Sequence, residues 1–451
     1  MTTWKALALT ILASIWAASP ARAEEDIYAL SQTLLLGPAD AREAAAETLL
    51  ARGDVDIVPS LVLLMRIGGN HVVVSGLLEE LTGEKLTTWR EAMQYQERHP
   101  EIAPHPSYYD LKFWYWGARD ERFLTFFKDP ADRDELRIRF EEITWGGVSV
   151  DGIPSLDGPA MIAASEADYM LDDDPVFGVE INGDVRAYPI RILAWHEMFN
   201  DVIGGVPVAL AYCTLCGAGI LFETDVAGQD APFVFGSSGL LYRSNKLMFD
   251  RQTESLWNQF TGEPVAGPLA HSGIALKIRP NTITSWADWK AAHPETTVLS
   301  LETGHFRDYD SGVAYRDYFA SPDLMFPTIT DETELLQKAF VYGIRVAGGA
   351  KAWPVTAFAE EPVINDQVGF ANVVLIGDAA TQAVRAYERG DLLFEGAPGA
   401  VTGPGGTWEV TEAALLGPAG ETLPRLPGHI AYWFAWDGYL GAESELYERA
   451  Q

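Results

Sequence analysis

The residues best suited to chemistry in this sequence are its only two cysteines, Cys213 and Cys216, which are separated by two residues. This spacing brings two sulfur atoms within reach of one metal ion or of each other. It leaves three alternatives open: a metal site, a redox-active or structural disulfide, and a pair of inert thiols. Gly217 follows the pair and permits a tight turn. No histidine follows directly, so covalent attachment of a c-type haem is not supported.

A histidine upstream of the cysteines is a candidate third group. Pro189 can start a helix at its first position, and one apolar face of that helix would hold Ile192, Trp195, His196 and Phe199. We expect the helix to end near Asn200, and a strand over residues 206–212 to lead directly into Cys213. The short connection predicts that His196 and both sulfur atoms meet at one end of a sheet. A histidine on an apolar face is, however, more often a core residue with its own hydrogen bonds.

The ligand set that these residues would form is soft. Two thiolates and an imidazole suit copper, with the thioether of Met248 as a fourth ligand, because sulfur ligands select Cu(I) and imidazole is also a good copper donor. Zinc is disfavoured because a thiolate zinc site usually needs a second cysteine pair. Glu197 is expected to orient or neutralise the site from beside the histidine. The predicted metal ligands are therefore Cys213, Cys216, His196 and Met248, with a copper ion as the cofactor.

Two stretches of the sequence share one pattern of alternating residues. We expect them to form the strands that position these groups. Residues 176–189 alternate around an Asn-Gly pair, which is a strong hairpin signal because both turn residues need positive φ. Residues 341–354 repeat this pattern without gaps, at an offset of 165 residues. We therefore predict an internal duplication, with a first β-rich unit over residues 150–325 and a shorter, degenerate second unit over residues 326–451.

The same offset indicates which residues are framework and which are functional. The residues that it places at the positions of Cys213, Cys216 and His196 are Asp378, Thr381 and Glu361. The second unit thus lacks both thiols and the imidazole. Residues that both units share are best explained by folding, and residues found only in the first unit are candidates for function.

The segment before the first unit has a helical pattern. Residues 41–52 are rich in Ala, Glu and Leu, and residues 57–66, 72–81 and 88–98 carry further apolar helical faces. Two short helices per unit would resemble an α-solenoid of the HEAT type, which usually serves packing or partner binding. The expected fold class is α+β: a helical, HEAT-like domain over residues 24–145, which we expect to contact an envelope protein partner, followed by the two duplicated β-rich units.

The N-terminus has the pattern of a cleavable signal peptide. Lys5 precedes an uncharged apolar run over residues 6–18, and Ala21-Arg22-Ala23 fits the small-x-small cleavage pattern. We therefore expect a signal peptide over residues 1–23 and a periplasmic or secreted mature chain that begins at Glu24. The apolar run is too short to be a permanent membrane span, and we expect no other span.

Composition restricts the class of protein and of partner. Hydrophobic residues make up 48% of the chain, so a sizeable core is available, and the formal net charge is −32. A surface this negative repels nucleic acids and anionic lipids, so we expect no nucleic-acid partner. A solvated acidic surface explains the charge without a specific ligand.

Short motifs in the β-rich part follow one another in a fixed order: Ala187-Tyr188-Pro189, Trp195-His196-Glu197, Asn200-Asp201, Tyr212-Cys213, Cys216-Gly217, Ser238-Gly239-Leu240, Asp250-Arg251 and Ser255-Leu256-Trp257. In these motifs the sequence resembles a bacterial family that is classified as a domain of unknown function. The resemblance extends from Asp151 to the C-terminus. It implies an exported or envelope-associated protein and implies no activity. The family commonly has proline after the first cysteine, where this chain has Thr214.

Three functions are consistent with these patterns. We favour a periplasmic metal-binding or redox protein in which Cys213, Cys216, His196 and Met248 hold copper. A thiol–disulfide oxidoreductase is the second hypothesis, and it needs an accessible thiol with a lowered pKa. The third is a non-enzymatic binding module in which the cysteine pair is a structural staple. The sequence names no catalytic residue and does not decide whether the protein is an enzyme.

Overall fold

The computed structural model describes residues 26–68, 72–127 and 136–449. The predicted signal peptide lies outside the described residues. Helices dominate the N-terminal part and strands dominate from Ile143 onward, so the fold class is α+β, as predicted. None of the described helices is both long enough and apolar enough to cross a membrane.

Six helices of the described N-terminal part cover the predicted helical segments. They are α1 Ile27–Leu36, α2 Ala39–Arg52, α3 Val58–Gly68, α4 Val72–Thr82, α5 Trp89–Arg98 and α6 Ser107–Gly117. Local sequence explains their ends. α2 stops where Gly53 takes a left-handed φ of 68°. α5 starts with a capping box, in which the Thr88 side chain and Glu91 satisfy each other's backbone N–H groups.

Strands and four shorter α-helices are the main regular elements of the rest of the described chain. The strands up to residue 300 are β1 Ile143–Trp145, β2 Leu156–Asp157, β3 Met161–Ala163, β4 Pro175–Ile181, β5 Asp184–Pro189, β6 Met198–Ile203, β7 Val206–Cys213, β8 Ala218–Glu223, β9 Phe235–Tyr242, β10 Asn245–Asp250, β11 Leu256–Asn258, β12 Glu263–Ala266, β13 Ile278–Arg279, β14 Thr282–Ser285 and β15 Thr297–Leu299. Those that follow are β16 Phe340–Val346, β17 Gly349–Pro354, β18 Val363–Val368, β19 Ala371–Asp378, β20 Ala383–Glu388, β21 Glu395–Ala397, β22 Ala400–Gly403, β23 Gly406–Val410, β24 Ala414–Leu416, β25 Thr422–Leu426, β26 Gly428–Tyr432 and β27 Ser444–Leu446. The helices are α7 Ile190–His196, α8 Trp286–Ala292, α9 Arg316–Ala320 and α10 Trp433–Leu440.

The N-terminal helices pack on a sheet with the order β1-β9-β10-β11-β12. One apolar core contains buried residues from both, such as Leu64 and Trp116 of the helices and Leu240 and Phe249 of the sheet. The helices therefore bury their apolar faces on β1, which follows them closely, and on β9 to β12, which lie more than 100 residues after the end of α6.

Two further sheets carry the region of the cysteines. Their orders are β13-β8-β7-β6-β2 and β14-β4-β5-β15-β3. The predicted hairpin over residues 176–189 is confirmed: β4 pairs with β5 from Val176 with Pro189 to Ile181 with Asp184. Its turn residues Asn182 and Gly183 have φ values of 52° and 82°, as an Asn-Gly turn requires.

The C-terminal part forms one sheet with the order β26-β16-β17-β27 and an eight-stranded sheet that begins β18-β19-β20. In the first of these, β26 and β17 are antiparallel to β16, and β27 is parallel to β17. The run β14-β4-β5-β15 has the same pattern of directions. Each of the strands β4 to β8 has the same length as its counterpart among β16 to β20. Each pair of strands is offset by 165 residues, which is the offset between Val176 and Val341.

One local prediction was wrong. The helix after Pro189 ends at His196, not near Asn200, because Glu197 takes a left-handed φ of 53°. Residues 198–203 then form β6, which pairs with β7. Phe199 therefore does not share a helical face with His196, although it is fully buried.

Candidate functional site

The two cysteines lie in the tight turn between β7 and β8. β7 ends at Cys213, residues 214–216 form a single 3₁₀ turn, and Gly217 closes it with a φ of 59°. Cys213 pairs with Ala218 across the turn. A left-handed residue is needed at this point, and glycine adopts that conformation without the penalty that a Cβ brings.

Cys213 and Cys216 form a disulfide, with their Cα atoms 5.2 Å apart. Both residues are buried, with exposed fractions of 2% and 0%. The Cys216 Sγ lies 3.8 Å from the backbone carbonyl oxygen of Ser244, in the loop before β10. In this state the sulfurs are bonded to each other and present no thiolate to a metal ion.

A segment around α9 covers the outside of the turn. The Tyr318 hydroxyl donates a hydrogen bond to the carbonyl oxygen of Leu215, between the cysteines, at 2.6 Å. Lys338 holds this tyrosine in place: its Nζ lies 3.7 Å from the centre of the Tyr318 ring and donates to the carbonyl oxygens of Tyr318 and Ser321. Access to the disulfide from this side requires the α9 segment to move.

A buried ion pair lies beside β7. The Lys246 Nζ is 3.3 Å from Glu197 Oε2, and it donates to the Glu197 carbonyl oxygen at 3.0 Å. That oxygen also accepts the backbone N–H of Tyr212, the residue before Cys213. The Tyr315 hydroxyl donates to Glu197 Oε1 at 3.3 Å. Burial lowers the pKa of Lys246, and the neighbouring carboxylate offsets part of that effect.

His196 has both ring nitrogens occupied by other groups. Its Nδ1 lies 2.8 Å from the Pro154 carbonyl oxygen, which can only accept, so Nδ1 carries the proton. Nε2 therefore accepts from the Tyr309 hydroxyl, 2.6 Å away. Burial lowers the pKa of His196 to about 4, so the ring is neutral at physiological pH. This arrangement is that of a core histidine with satisfied hydrogen bonds.

The structure brings together only some of the predicted metal ligands. Cys213 and Cys216 are bonded to each other, and Met248, fully buried on β10, belongs to the same apolar core. His196 instead contacts Pro154 and Tyr309. Within residues 26–68, 72–127 and 136–449, no group of three or more His, Cys, Asp or Glu side chains is arranged to hold a metal ion. In the disulfide form, both sulfurs and both ring nitrogens of His196 are thus already engaged with other atoms.

Polar atoms near the turn have unused hydrogen-bonding capacity. Thr214 Oγ1, Asn245 Oδ1 and Gln259 Oε1 are buried without a hydrogen-bond partner in the described part of the chain. The Gln259 Nε2 donates to the carbonyl oxygens of Ala211 on β7 and Ala218 on β8. Gln259 therefore ties together the two strands that the turn connects.

The turn between β19 and β20 has the same flanking strand pair and the same left-handed closing position, without cysteines. Asp378 pairs with Ala383 across it, and Gln382 closes it with a φ of 61°. Thr381 stands where the offset of 165 residues places Cys216. The strand pair and the left-handed closing residue therefore form without a disulfide, whereas the 3₁₀ turn of residues 214–216 has no counterpart at residues 379–381.

Sequence reasoning missed the residues that hold this site in place. Lys246, Tyr315 and Tyr318 reach Glu197 and Leu215 from 49, 118 and 103 residues away. They belong to no local motif. The one available signal was that a lysine and a polar run lie between short apolar strands just after the cysteines, a pattern that also fits ordinary turns.

Comparison with known proteins identifies a family. The sequence model of the family described as protein of unknown function (DUF3179) matches residues 150–443, which is more than half of the chain. No curated protein matches the chain, and no solved structure matches it. The match covers the strands that carry the disulfide, the buried ion pair and the turn between β19 and β20. The chain therefore belongs to the DUF3179 family.

Proposed function

We propose that this chain is an exported redox protein in which Cys213 and Cys216 alternate between a disulfide and a dithiol. A thiolate of the reductant attacks one sulfur and forms a mixed disulfide, and a second thiol displaces it. Overall, two thiols are oxidised to one disulfide, and the protein disulfide is reduced to two thiols. The reverse reaction needs a disulfide as the oxidant.

The observation that carries this proposal is that only one of two matching turns contains a disulfide. The turn at residues 213–217 has it, and the turn at residues 378–382 has the same strand pairing and the same left-handed closing residue without it. The strand pair and the left-handed closing residue thus do not need the bond in order to form. A role as a staple therefore leaves the cysteine pair unexplained, whereas a chemical role explains it.

Access to the disulfide is restricted, which favours a small reductant over a protein surface. Tyr318 covers Leu215 on one side. On another side Tyr212 and Gly217, which flank the disulfide, line an open cavity of about 550 Å³. Neither cysteine lines this cavity, and both are buried. Even a small thiol therefore needs the turn to open locally, whereas a folded protein would also have to displace the α9 segment.

Equilibration with a graded series of reduced and oxidised glutathione tests the proposal. Trapping free thiols with a maleimide and weighing the intact protein gives the fraction of dithiol at each ratio. We expect one two-electron transition that is the same in both directions. The Cys216→Ser variant is the matched control, because it can form only the mixed disulfide. A pair that stays oxidised at every ratio would contradict the proposal.

We also propose that the two β-rich units arose by duplication. Three equivalent contacts support this. The side-chain amides of Asn200 and Asn365 each donate to the carbonyl oxygen, and accept from the backbone N–H, of one phenylalanine that is distant in sequence. Asp201 and Asp366 each accept from the ring that precedes the proline at the end of the hairpin. A glycine on β4 packs directly against a tryptophan of α8, and a glycine on β16 packs in the same way against a tryptophan of α10.

Copper binding by the dithiol form is a second candidate function. The observation that favours it is that Met248 shares an apolar core with both sulfurs, because thiolate and thioether ligands select Cu(I). His196 would have to exchange its bond with Tyr309 for the metal. Copper content after anaerobic loading of the reduced protein tests this: Met248→Leu and Cys213→Ser should lower it, and His196→Gln shows whether the ring takes part. Equal copper in all variants would remove the idea.

Export is part of the proposal. The signal-peptide pattern supports it, and so does the disulfide, since disulfides persist mainly in oxidising compartments. N-terminal sequencing of the chain from fractionated cells should find Glu24 first, in the extracytoplasmic fraction. Recovery of the chain from the cytoplasm with Met1 intact would contradict export. The HEAT-like character of the N-terminal helices and their envelope protein partner stay predictions.

A further inference from the structure

The cavity beside the disulfide is lined by equivalent positions of both β-rich units. Pro175 and Phe340 begin β4 and β16, and Gly217 and Gln382 close the two matching turns. Ser285 and Tyr432 directly precede α8 and α10. All six residues line the cavity. The cleft is therefore the place where the two units face each other, and it is made of both.

The two units contribute different chemistry to this cleft. At the paired positions the first unit supplies small side chains, and the second supplies Phe340 and Tyr432, whose rings stack 4.5 Å apart. Phe319 of α9 adds a third ring, which is 39% exposed. Because the first unit has small residues where the second has rings, an open space of about 550 Å³ lies between them. This volume is within the range of roughly 300–1,000 Å³ that is typical of small-molecule sites.

The charge of the lining restricts the ligand. No lysine or arginine is among the described residues that line the cleft, and Asp173 at its rim carries a carboxylate. The chain as a whole has a net charge of −32. The other hydrogen-bonding side chains of the lining are neutral; they are those of Tyr212, Thr284, Ser285, Thr381, Gln382 and Tyr432. An anion would lose its hydration here without gaining a cation.

We propose that this cleft binds an uncharged aromatic small molecule, stacked against Phe319 and the Phe340–Tyr432 wall. Aromatic rings bind one another through apolar burial and offset or edge contacts, which suits three rings around one open space. The proposal goes beyond redox function, because none of the groups that it uses is a thiol.

The proposal is tested by measuring, with equilibrium dialysis, how 2-naphthol and 2-naphthoate bind to the mature chain. The two probes share one ring system and differ in charge. We expect saturable binding of one 2-naphthol per chain, and binding of 2-naphthoate at least about tenfold weaker. Phe319→Ala should weaken 2-naphthol binding by about tenfold.

Two controls make the result specific. Phe370 is 87% exposed on the turn between β18 and β19, so Phe370→Ala should leave 2-naphthol binding unchanged. The Cys213→Ser, Cys216→Ser double variant should bind 2-naphthol as the native chain does, whatever the outcome of the redox titration. The proposal is overturned by an absence of saturable binding, by equal binding of both probes, or by equal effects of Phe319→Ala and Phe370→Ala.

Discussion

Gly217 and Gln382 close two matching turns with nearly the same left-handed backbone, at φ values of 59° and 61°. Only the turn that ends in glycine carries the disulfide. A glutamine held in this conformation is strained, whereas glycine is not. The comparison separates what the turn needs for folding, a left-handed closing residue, from what it does not need, the two sulfurs.

Exchanging the closing residues should therefore have opposite effects. Gln382→Gly relieves backbone strain and should raise the free energy of unfolding by up to about 1 kcal/mol. Gly217→Gln should lower it, because a Cβ there would lie 3.0 Å from the Phe340 ring as well as adding strain. Urea unfolding of the two variants measures both effects. Stabilisation by both exchanges would contradict the account.

Removal of the disulfide should cost little stability. The bond closes a loop of four residues, for which the loss of unfolded-state entropy amounts to roughly 2 kcal/mol. The Cys213→Ser, Cys216→Ser variant should thus stay folded and lose no more than this in urea unfolding. A variant that fails to fold would indicate a staple, in conflict with the turn that forms at residues 378–382.

The buried pair of Lys246 and Glu197 should be far more sensitive than surface pairs. Lys246→Met leaves a carboxylate without its cation and should cost about 3–5 kcal/mol. Adding Glu197→Gln should recover part of that loss, since the uncompensated charge is removed. Lys277→Met is the matched control: Lys277 is 65% exposed in its pair with Glu223, so the loss should be below about 1 kcal/mol. Equal losses from both lysines would refute a buried, coupled pair.

The buried imidazole of His196 should make stability depend on pH. Burial lowers its pKa to about 4 in the folded state, against about 6.5 when unfolded. The unfolded chain thus binds more protons between these values. The contribution of the neutral ring to the free energy of unfolding is fully present above pH 6.5. It falls by about 3 kcal/mol in total as the pH falls from 6.5 to 4.

Thermal or urea unfolding of His196→Gln across this range measures that contribution. The variant cannot titrate, so its loss of stability between pH 6.5 and 4 should be about 3 kcal/mol smaller than that of the native chain. His271→Gln, at an exposed position, should keep the native dependence. A native slope in the His196 variant would show that the ring is solvated.

Local patterns predicted the elements but not their partners. The hairpin over residues 176–189 follows from alternation around an Asn-Gly turn, and α5 follows from the apolar helical face over residues 88–98. The helix after Pro189 was predicted too long, because the apolar spacing continues through Phe199 while the left-handed Glu197 ends the helix. A single residue's φ is not visible in a periodic pattern.

For the same reason, the sequence predicted only part of the contacts at the site. The cysteine spacing indicated that two sulfurs meet, and they do. The partners of His196 and Glu197, which are Tyr309 and Tyr315, come from a loop more than 110 residues away. Nothing in the spacing of a single chain encodes such a contact. The sequence repeat at an offset of 165 residues was the more informative signal, because it compares two structures of one sequence pattern.

The most direct test of the redox proposal is reduction of the native chain without denaturant. Mass spectrometry after treatment with dithiothreitol and thiol alkylation counts the opened cysteines, and circular dichroism follows the fold. The account predicts that Cys213 and Cys216 open together, that the spectrum is unchanged, and that oxidised glutathione closes the bond again. A disulfide that opens only when the chain unfolds would contradict it.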